Sequence, residues 1–518
     1  MTFEIVFVLL SLLGMVAALI ADKMRPGMIL FSVVVLFLCA GILTPKEMLE
    51  GFSNKGMITV ALLFLVSEGI RQSGTLGQVI KKLLPQGKTT VFKAQLRILP
   101  SVAFISAFLN NTPVVVIFAP IIKHWAKSVN LPATKFLIPL SYVTILGGIC
   151  TLIGTSTNLV VHGMILEAGF EGFSMFELGK VGIFIAIAGI IYIFLFSKRL
   201  LPDARPDTAV PDEEVEEGEK LHRVEAGLGA RFPGINKKLK DFNFQRHYGA
   251  EVKEIKTRNG QRFVSNLEEV VLHEGDTLVV MADDTFIPTW GESSVFVLLT
   301  NGNEPDTTGK KKKRWFALLL LVLMIVGATV GELPITKEMF PDIKLDMFFF
   351  VSITTIIMAW TNLFPARKYT KYISWDILIT IACAFAISKA MVNSGVADSV
   401  AKFIIGLSDD YGPHVLLAMV FIITNLFTEL ITNNAAAALA FPLALSISAQ
   451  LGVSPTPFFV VICMAASASF STPIGYQTNL IVQGIGNYKF TDFVRIGLPL
   501  NIITFLISII LIPLIWNF

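Results

Sequence analysis

Two short polar clusters, each set in an apolar run, carry the residue types of a binding site. Leu109-Asn110-Asn111-Thr112-Pro113 and Ile431-Thr432-Asn433-Asn434-Ala435 lie roughly 320 residues apart. Each is followed by a Gly/Thr/Asn-rich break, Gly154-Thr155-Ser156-Thr157-Asn158-Leu159 and Pro473-Ile474-Gly475-Tyr476-Gln477-Thr478-Asn479-Leu480. Carboxamide, hydroxyl and carbonyl oxygens are hard ligands suited to sodium. Their N–H and O–H groups, with the free N–H groups of helix starts, can hold a tetrahedral dianion. At membrane depth, lipid satisfies neither such side chains nor the broken backbone around them, so the clusters predict a buried, wet cavity. Neither tip contains Arg or Lys, which leaves sodium and helix dipoles to offset the charge of an anion. A single Asn or Thr in such a helix is more simply interhelical hydrogen-bond glue; four clusters in register favour the site.

The elements that must position these residues are duplicated. Pro120 and Pro442 follow the two tips at the same distance (442 − 434 = 120 − 112), and Asn158 and Asn479 follow at nearly the same distance (158 − 112 = 46; 479 − 434 = 45). Upstream, Ser67-Glu68 before Ser73-Gly74 is echoed by Ser388-Lys389 before Ser394-Gly395. Two copies of one unit meeting around interrupted helices is a common construction for a midplane transport site, and the parity of the spans between copies allows an inverted pair. Glu68 and Lys389 are equivalent by the repeat, and opposite charges in apolar helices make them a candidate ion pair.

Apolar segments fall near 3–20, 27–42, 57–72, 98–120, 134–150, 158–167 and 180–197, and again near 315–331, 346–363, 374–391, 414–447, 454–470, 478–486 and 494–517. Several are shorter than the ~20 residues of a full span. The segments at 98–120 and 414–447 carry their Asn pair in the middle, which predicts re-entrant hairpins. Those at 134–167 and 454–486 break at the Gly/Thr/Asn cluster, which predicts helices unwound at midplane. The expected fold is an all-α polytopic membrane protein of about eleven spans with duplicated, inverted repeats and two re-entrant hairpins.

Composition agrees with that class. Of 518 residues 53% are hydrophobic and only 16% charged, and the mean hydropathy is +0.68, too apolar for a soluble enzyme. A net charge of +3 gives no reason to expect a nucleic-acid partner. Cys39, Cys150, Cys383 and Cys463 lack metal-ligand spacing and read as inert core thiols. Phe3 to Ile20 has no basic n-region and no small-residue cleavage site, so it reads as a retained span. No constellation of His, Ser and carboxylates suggests catalysis.

Lys198-Arg199 closes the first apolar half and Lys310-Lys311-Lys312-Lys313-Arg314 opens the second, which places the polar interval between them in the cytosol. Asp203 to Lys220 is acidic, contains proline and reads as a flexible linker. Alternating strands then follow at 221–225, 250–255, 262–264 and 276–281, with turn signals at Asn259-Gly260 and Glu274-Gly275-Asp276. The expected organisation is a first transmembrane repeat over 1–200, a linker and small α+β domain over 201–312 with its core at about 216–290, and a second repeat over 313–518.

The paired Asn motifs, the Gly51-Phe52-Ser53-Asn54 stretch and the two Asn-bearing breaks resemble the divalent anion/sodium symporter family across the whole membrane portion. The interval, through Leu272-His273-Glu274-Gly275-Asp276-Thr277-Leu278, resembles the C-terminal ligand-binding domain of TrkA/RCK potassium-transport regulators. In the symporter family each tip reads Ser-Asn-Thr; here Asn110 replaces the Ser of the first tip, and Thr432 and Asn434 replace the Ser and Thr of the second. The resemblance implies one sodium held by Asn110, Asn111, Gly154, Thr155 and Asn158, and another by Thr432, Asn433, Gly475, Thr478 and Asn479. It implies substrate contacts from Asn111, Thr112, Thr157, Asn433, Asn434 and Thr478. It further implies a homodimer in the plasma membrane that moves a small divalent anion, sulfate foremost, inward with Na+ by an elevator motion. An unknown small regulatory ligand would act at the insert. A dicarboxylate is the rival substrate. A channel would need a continuous filter motif, and an Na+/H+ antiporter acidic residues at the breaks; the sequence of the breaks contains neither.

Overall fold

Apolar stretches of bilayer length build most of the molecule, and local caps fix where they start. The computed structural model describes residues 3–21, 24–203, 222–229, 232–257, 261–283, 286, 290, 295–300, 311–340, 342–406 and 412–518. In the first half the helices are α1 (Phe3–Ala21), α2 (Pro26–Cys39), the short α3 (Pro45–Glu50), α4 (Lys55–Gln72), α5 (Thr75–Leu83), α6 (Val91–Ser106), α7 (Asn111–Ser128), α8 (Leu137–Gly148), α9 (Ser156–Glu167) and α10 (Gly179–Leu200). Thr44 and Glu47 form a capping box on α3, and the Asn54 side chain accepts from Gly56 N at 2.8 Å to start α4.

The second half repeats the order. After α11 (Phe244–Tyr248) in the interval come α12 (Lys311–Gly331), α13 (Pro334–Met339), α14 (Met347–Trp360), α15 (Trp375–Asn393), α16 (Val396–Gly406), α17 (Gly412–Leu430), α18 (Asn433–Leu451), α19 (Thr456–Ser467), α20 (Gln477–Gly486) and α21 (Phe490–Ile515). The Ser-Gly steps turn α4 into α5 and α15 into α16 at left-handed backbone (Gly74 φ 71, Gly395 φ 74), a conformation that favours glycine.

The fold is that of a polytopic membrane protein with duplicated repeats. Eight of the described helices are long and apolar enough to cross a bilayer. The pairs α6–α7 and α17–α18 are re-entrant hairpins, and the pairs α8–α9 and α19–α20 are each one helix broken in the middle. With each broken pair counted once and the hairpins left out, the apolar helices of the described residues fall into five units in each half. An odd number per half inverts the second copy relative to the first. The hairpins accordingly open to opposite faces: α7 ends at the strand-bearing interval through Lys123, whereas α18 meets α16 on the other face through Ser446 and Asp398.

Inversion also overturns the Glu68–Lys389 ion pair. Equivalent positions away from the midplane land at opposite faces, and the two charges do not meet. Glu68 is bound within its own helix by Arg71 at 2.6 Å and Gln72 at 2.6 Å, while Lys389 lines a cavity on the face away from the interval. The reading of all four cysteines as core thiols also needs correction. All are free, but Cys39 is exposed and Cys150 half-buried.

The interval forms an antiparallel sheet in the order β3-β2-β4-β1-β5, made of β1 (His222–Leu228), β2 (Glu251–Lys256), β3 (Arg262–Phe263), β4 (Thr277–Ala282) and β5 (Phe296–Thr300). It is an inserted α+β part with its own core, in which Phe232, Phe242, Phe244 and Tyr248 pack beside Val224, Leu278 and Val280. β5 has no counterpart among the strands read from the sequence. The acidic stretch 204–220 and the Asn259-Gly260 turn lie outside the described residues.

The sheet is seated on two half-helices of the membrane part. Glu225 on β1 lies 3.1 Å from Lys123 at the end of α7 and 3.2 Å from Lys256 on β2. Burial pushes its carboxyl up, but the two ammonium groups outweigh burial and hold it down at about 2. Next to this contact, Gly275 and Thr277 lie against α20. A Cβ on Gly275 would sit 3.6 Å from Leu480, and one on Gly484 would sit 2.8 Å from the Thr277 hydroxyl.

Candidate functional site

Each hairpin tip is fixed by the same bond. Asn111 is the first residue of α7 and Asn433 the first of α18. Ser106 donates to Asn111 Oδ1 at 2.8 Å, and Thr428 donates to Asn433 Oδ1 at 2.8 Å, in equivalent positions (428 − 106 = 433 − 111 = 322). With each carbonyl oxygen occupied, each carboxamide is oriented with its NH2 group free to donate. The preceding residues, Asn110 and Thr432, occupy N-cap positions, yet neither side chain makes the capping bond. Those side chains therefore stay available at the tips.

The two breaks share one internal scaffold. Asn158 Nδ2 donates to Thr151 O at 2.9 Å and Gly148 O at 3.5 Å; Asn479 Nδ2 donates to Thr472 O at 3.2 Å and Ser469 O at 2.9 Å. Each Asn thus satisfies carbonyls that the interrupted helix leaves without an i+4 donor. Thr151 donates to Ala107 O and Thr472 to Glu429 O at 3.1 Å, tying each break to the tip of its own repeat. Gly154 and Gly475 close the loops at points of close approach. A Cβ at Gly154 would lie 2.5 Å from Gly148 O, and one at Gly475 would collide with Ser469 Oγ.

The repeats then cross over. Thr112 of the first tip donates to Gln477 of the second break at 3.3 Å, while Asn434 of the second tip accepts from Thr157 and Ser156 of the first break at 3.2 and 3.4 Å. Asn111 Nδ2 donates to the Tyr476 hydroxyl at 2.6 Å, and Thr155 Oγ1 lies 3.0 Å from the same oxygen. The sequence-predicted residues therefore gather into two tip–break clusters joined side by side. Thr478 is the one turned aside, its hydroxyl 2.9 Å from Ser141.

The clusters differ in what they leave unsatisfied. Ser141 also donates to Asn479 Oδ1 at 2.7 Å. The residue equivalent to Ser141 is Ile462 (462 − 141 = 321), which has no hydroxyl, and the fully buried Asn158 Oδ1 has no hydrogen-bond partner. An unpaired buried carboxamide oxygen is costly, and a bound cation would satisfy it. The donor set of the first break thus fits sodium. At the second cluster the hydroxyls of Thr432 and Ser467 have no partner.

Sequence reasoning missed several contributors. Ser106 and Thr428 stand five residues before each tip Asn, a signal the repeat register already held. Glu429 is a correction: the breaks hold no acidic residue in sequence, but the fold brings this carboxylate to the second one. There Oε1 accepts from Ser471 N at 2.9 Å and Asn501 Nδ2 at 2.7 Å. Tyr476 and Gln477 carried no signal beyond their place in the break.

A cavity of about 1320 Å³ opens on the face away from the insert. Lys55, His162, Glu167, Glu332, Asp346 and Lys389 contribute to its lining, and Leu152 and Leu159 bring it to the first break.

Comparison with known proteins finds transporters. The family described as citrate transporter matches residues 16–446 and 343–517. An uncharacterized transporter of Synechocystis is 30% identical over 94% of this chain and 93% of its own length. A putative sulfur deprivation response regulator of Chlamydomonas reinhardtii is 28% identical, covering 93% of this chain and 96% of its own length. Sodium/sulfate cotransporter 1 of the same alga is 33% identical over 55% of this chain and 32% of its own length.

Proposed function

This chain belongs to the citrate transporter family, and from that premise we propose that it is a sodium-coupled symporter of a small divalent anion, sulfate foremost. The observation that carries the reading is the buried Asn158 Oδ1, a hard oxygen without a partner inside a duplicated tip–break site. The relatives named sodium/sulfate cotransporters support the same ion and the same anion. Sodium is held by the carboxamides, hydroxyls and loop carbonyls of each break with its own tip. The anion lies between the tips, where Asn111, Thr112, Asn433, Asn434 and Thr157 supply N–H and O–H donors and the starts of α7 and α18 add their dipoles.

Transport proceeds by an elevator motion. The hairpins and broken helices form the moving body, and α2, α4, α14 and α15 belong to the scaffold it slides against. The protein is a homodimer in the plasma membrane. The basic flanks Lys198-Arg199 and Lys310–Arg314 support a cytoplasmic insert. The segment 201–312 is a linker and TrkA-C-like module that takes a small regulatory ligand. A dicarboxylate is the second reading, and the description of the family as citrate transporter, citrate being also a multiply charged carboxylate, supports it.

Uptake of labelled sulfate and labelled succinate into proteoliposomes, with and without an inward sodium gradient, tests the proposal. Sodium-dependent sulfate uptake that succinate competes with poorly is the expected result. Uptake of neither anion under any sodium gradient overturns it.

A further inference from the structure

At the centre of the site the two repeats stop being alike. The second break places Tyr476 where the first has Thr155 (476 − 155 = 321), and Gln477 where the first has Ser156. Thr155 and Ser156 are short side chains that meet the other repeat only where it comes to them, at the Tyr476 hydroxyl (3.0 Å) and at Asn434 (3.4 Å). Tyrosine and glutamine are long enough to cross to the other repeat, and both do so: Gln477 meets Thr112 at 3.3 Å, and the Tyr476 hydroxyl meets Asn111 Nδ2 at 2.6 Å and Thr155 Oγ1 at 3.0 Å. Asn433 of the second tip is also within hydrogen-bonding reach of that hydroxyl. One phenol therefore contacts both tip carboxamides and the opposite break, and Tyr476 as a whole is 8% exposed.

We propose that Tyr476 is the specificity-determining residue of the site, limiting it to a small oxyanion and excluding longer carboxylates. The proposal rests on the symport reading given above. Two properties of the side chain carry it. The ring fills volume that a threonine would leave open between the tips, beside polar groups of both repeats. The hydroxyl accepts from Asn111 and has its own proton to give, so it can turn that O–H toward an oxyanion while Asn111 still donates to it. A site whose buried polar groups are matched to one ligand rejects a ligand that leaves them unpaired far more strongly than a merely apolar pocket could. A dicarboxylate carries an apolar spacer between its charged ends, and that spacer would have to displace the phenol and leave Asn111 and Thr155 unpaired.

The test compares Tyr476→Thr, which copies the first repeat, and Tyr476→Phe, which keeps the ring and removes the hydroxyl. Sulfate and succinate uptake are measured in proteoliposomes under the same sodium gradient. Tyr476→Thr is expected to shift the sulfate-to-succinate ratio of kcat/KM at least tenfold toward succinate. Tyr476→Phe is expected to raise the KM for sulfate at least tenfold while succinate remains excluded. The proposal is overturned if Tyr476→Phe leaves the KM for sulfate unchanged, or if Tyr476→Thr is folded and transports with an unchanged ratio. Should Tyr476→Thr fail to fold, the Tyr476→Phe result alone decides. Wild-type protein that carries neither anion would instead defeat the symport reading beneath it.

Discussion

Glu225 is the charge that seats the inserted sheet on α7, and its removal should be felt on both sides of that contact. A carboxyl held at about 2 instead of its ordinary 4.5 corresponds to about 3 kcal/mol of interaction favouring the folded arrangement. Because the folded value is depressed, this stabilisation is complete above the ordinary value and fades as pH falls from there toward 2. Glu225→Gln at neutral pH should lose most of it and leave Lys256, only 6% exposed, beside a neutral amide. Lys123→Met removes the partner on α7 and keeps Glu225 paired with Lys256, so it should cost less. Hydrogen exchange is the assay, read at β1 and at residues 120–128. Both variants should speed exchange at both sites, and the double variant should fall short of the sum of the singles by about 0.5–3 kcal/mol, as residues in contact do. Unchanged protection of residues 120–128 in Glu225→Gln would refute the idea that this ion pair holds the sheet on α7.

The site itself makes further predictions. Asn111→Ala and Asn433→Ala should each reduce uptake to background while the protein still folds; the lost partners of Ser106, Tyr476 and Thr428 should cost about 1–3 kcal/mol, seen as a lower melting point in detergent. Asn158→Ala should raise the sodium concentration for half-maximal uptake at least tenfold, measured by sodium titration of initial rates, since it deletes the unpaired oxygen of the first break. Glu429→Ala should destabilise by about 1–3 kcal/mol, because Ser471 N and Asn501 Nδ2 lose their acceptor, whereas Glu429→Gln keeps an oxygen there and should melt close to wild type.

Much of this arrangement was legible in the sequence because the chain states it twice. The Asn pairs, Pro120 with Pro442, and the Ser-Gly steps at Gly74 and Gly395 fixed the register of the repeat, and hairpins and broken helices followed from polar clusters in the middle of apolar runs. The strands at 222–228, 251–256 and 277–282 showed through alternation. What stayed hidden depends on which parts meet in space. Glu429 sits in α17, and only the packing of that helix on the second break gives the break a carboxylate. The crossing of Tyr476 to Asn111 spans 365 positions of sequence and has no local signature. Glu68 and Lys389 failed for a related reason, since equivalence under an inverted repeat brings residues together only at the midplane, and both lie toward helix ends.

Under the proposed function the anion and sodium move together through the duplicated site. The most direct test is to follow radiolabelled sodium and radiolabelled sulfate entering the same proteoliposomes. Addition of sulfate should accelerate sodium entry in a fixed ratio, and a proton gradient should have almost no effect. Robust sulfate uptake driven by a pH gradient in sodium-free buffer would contradict the account.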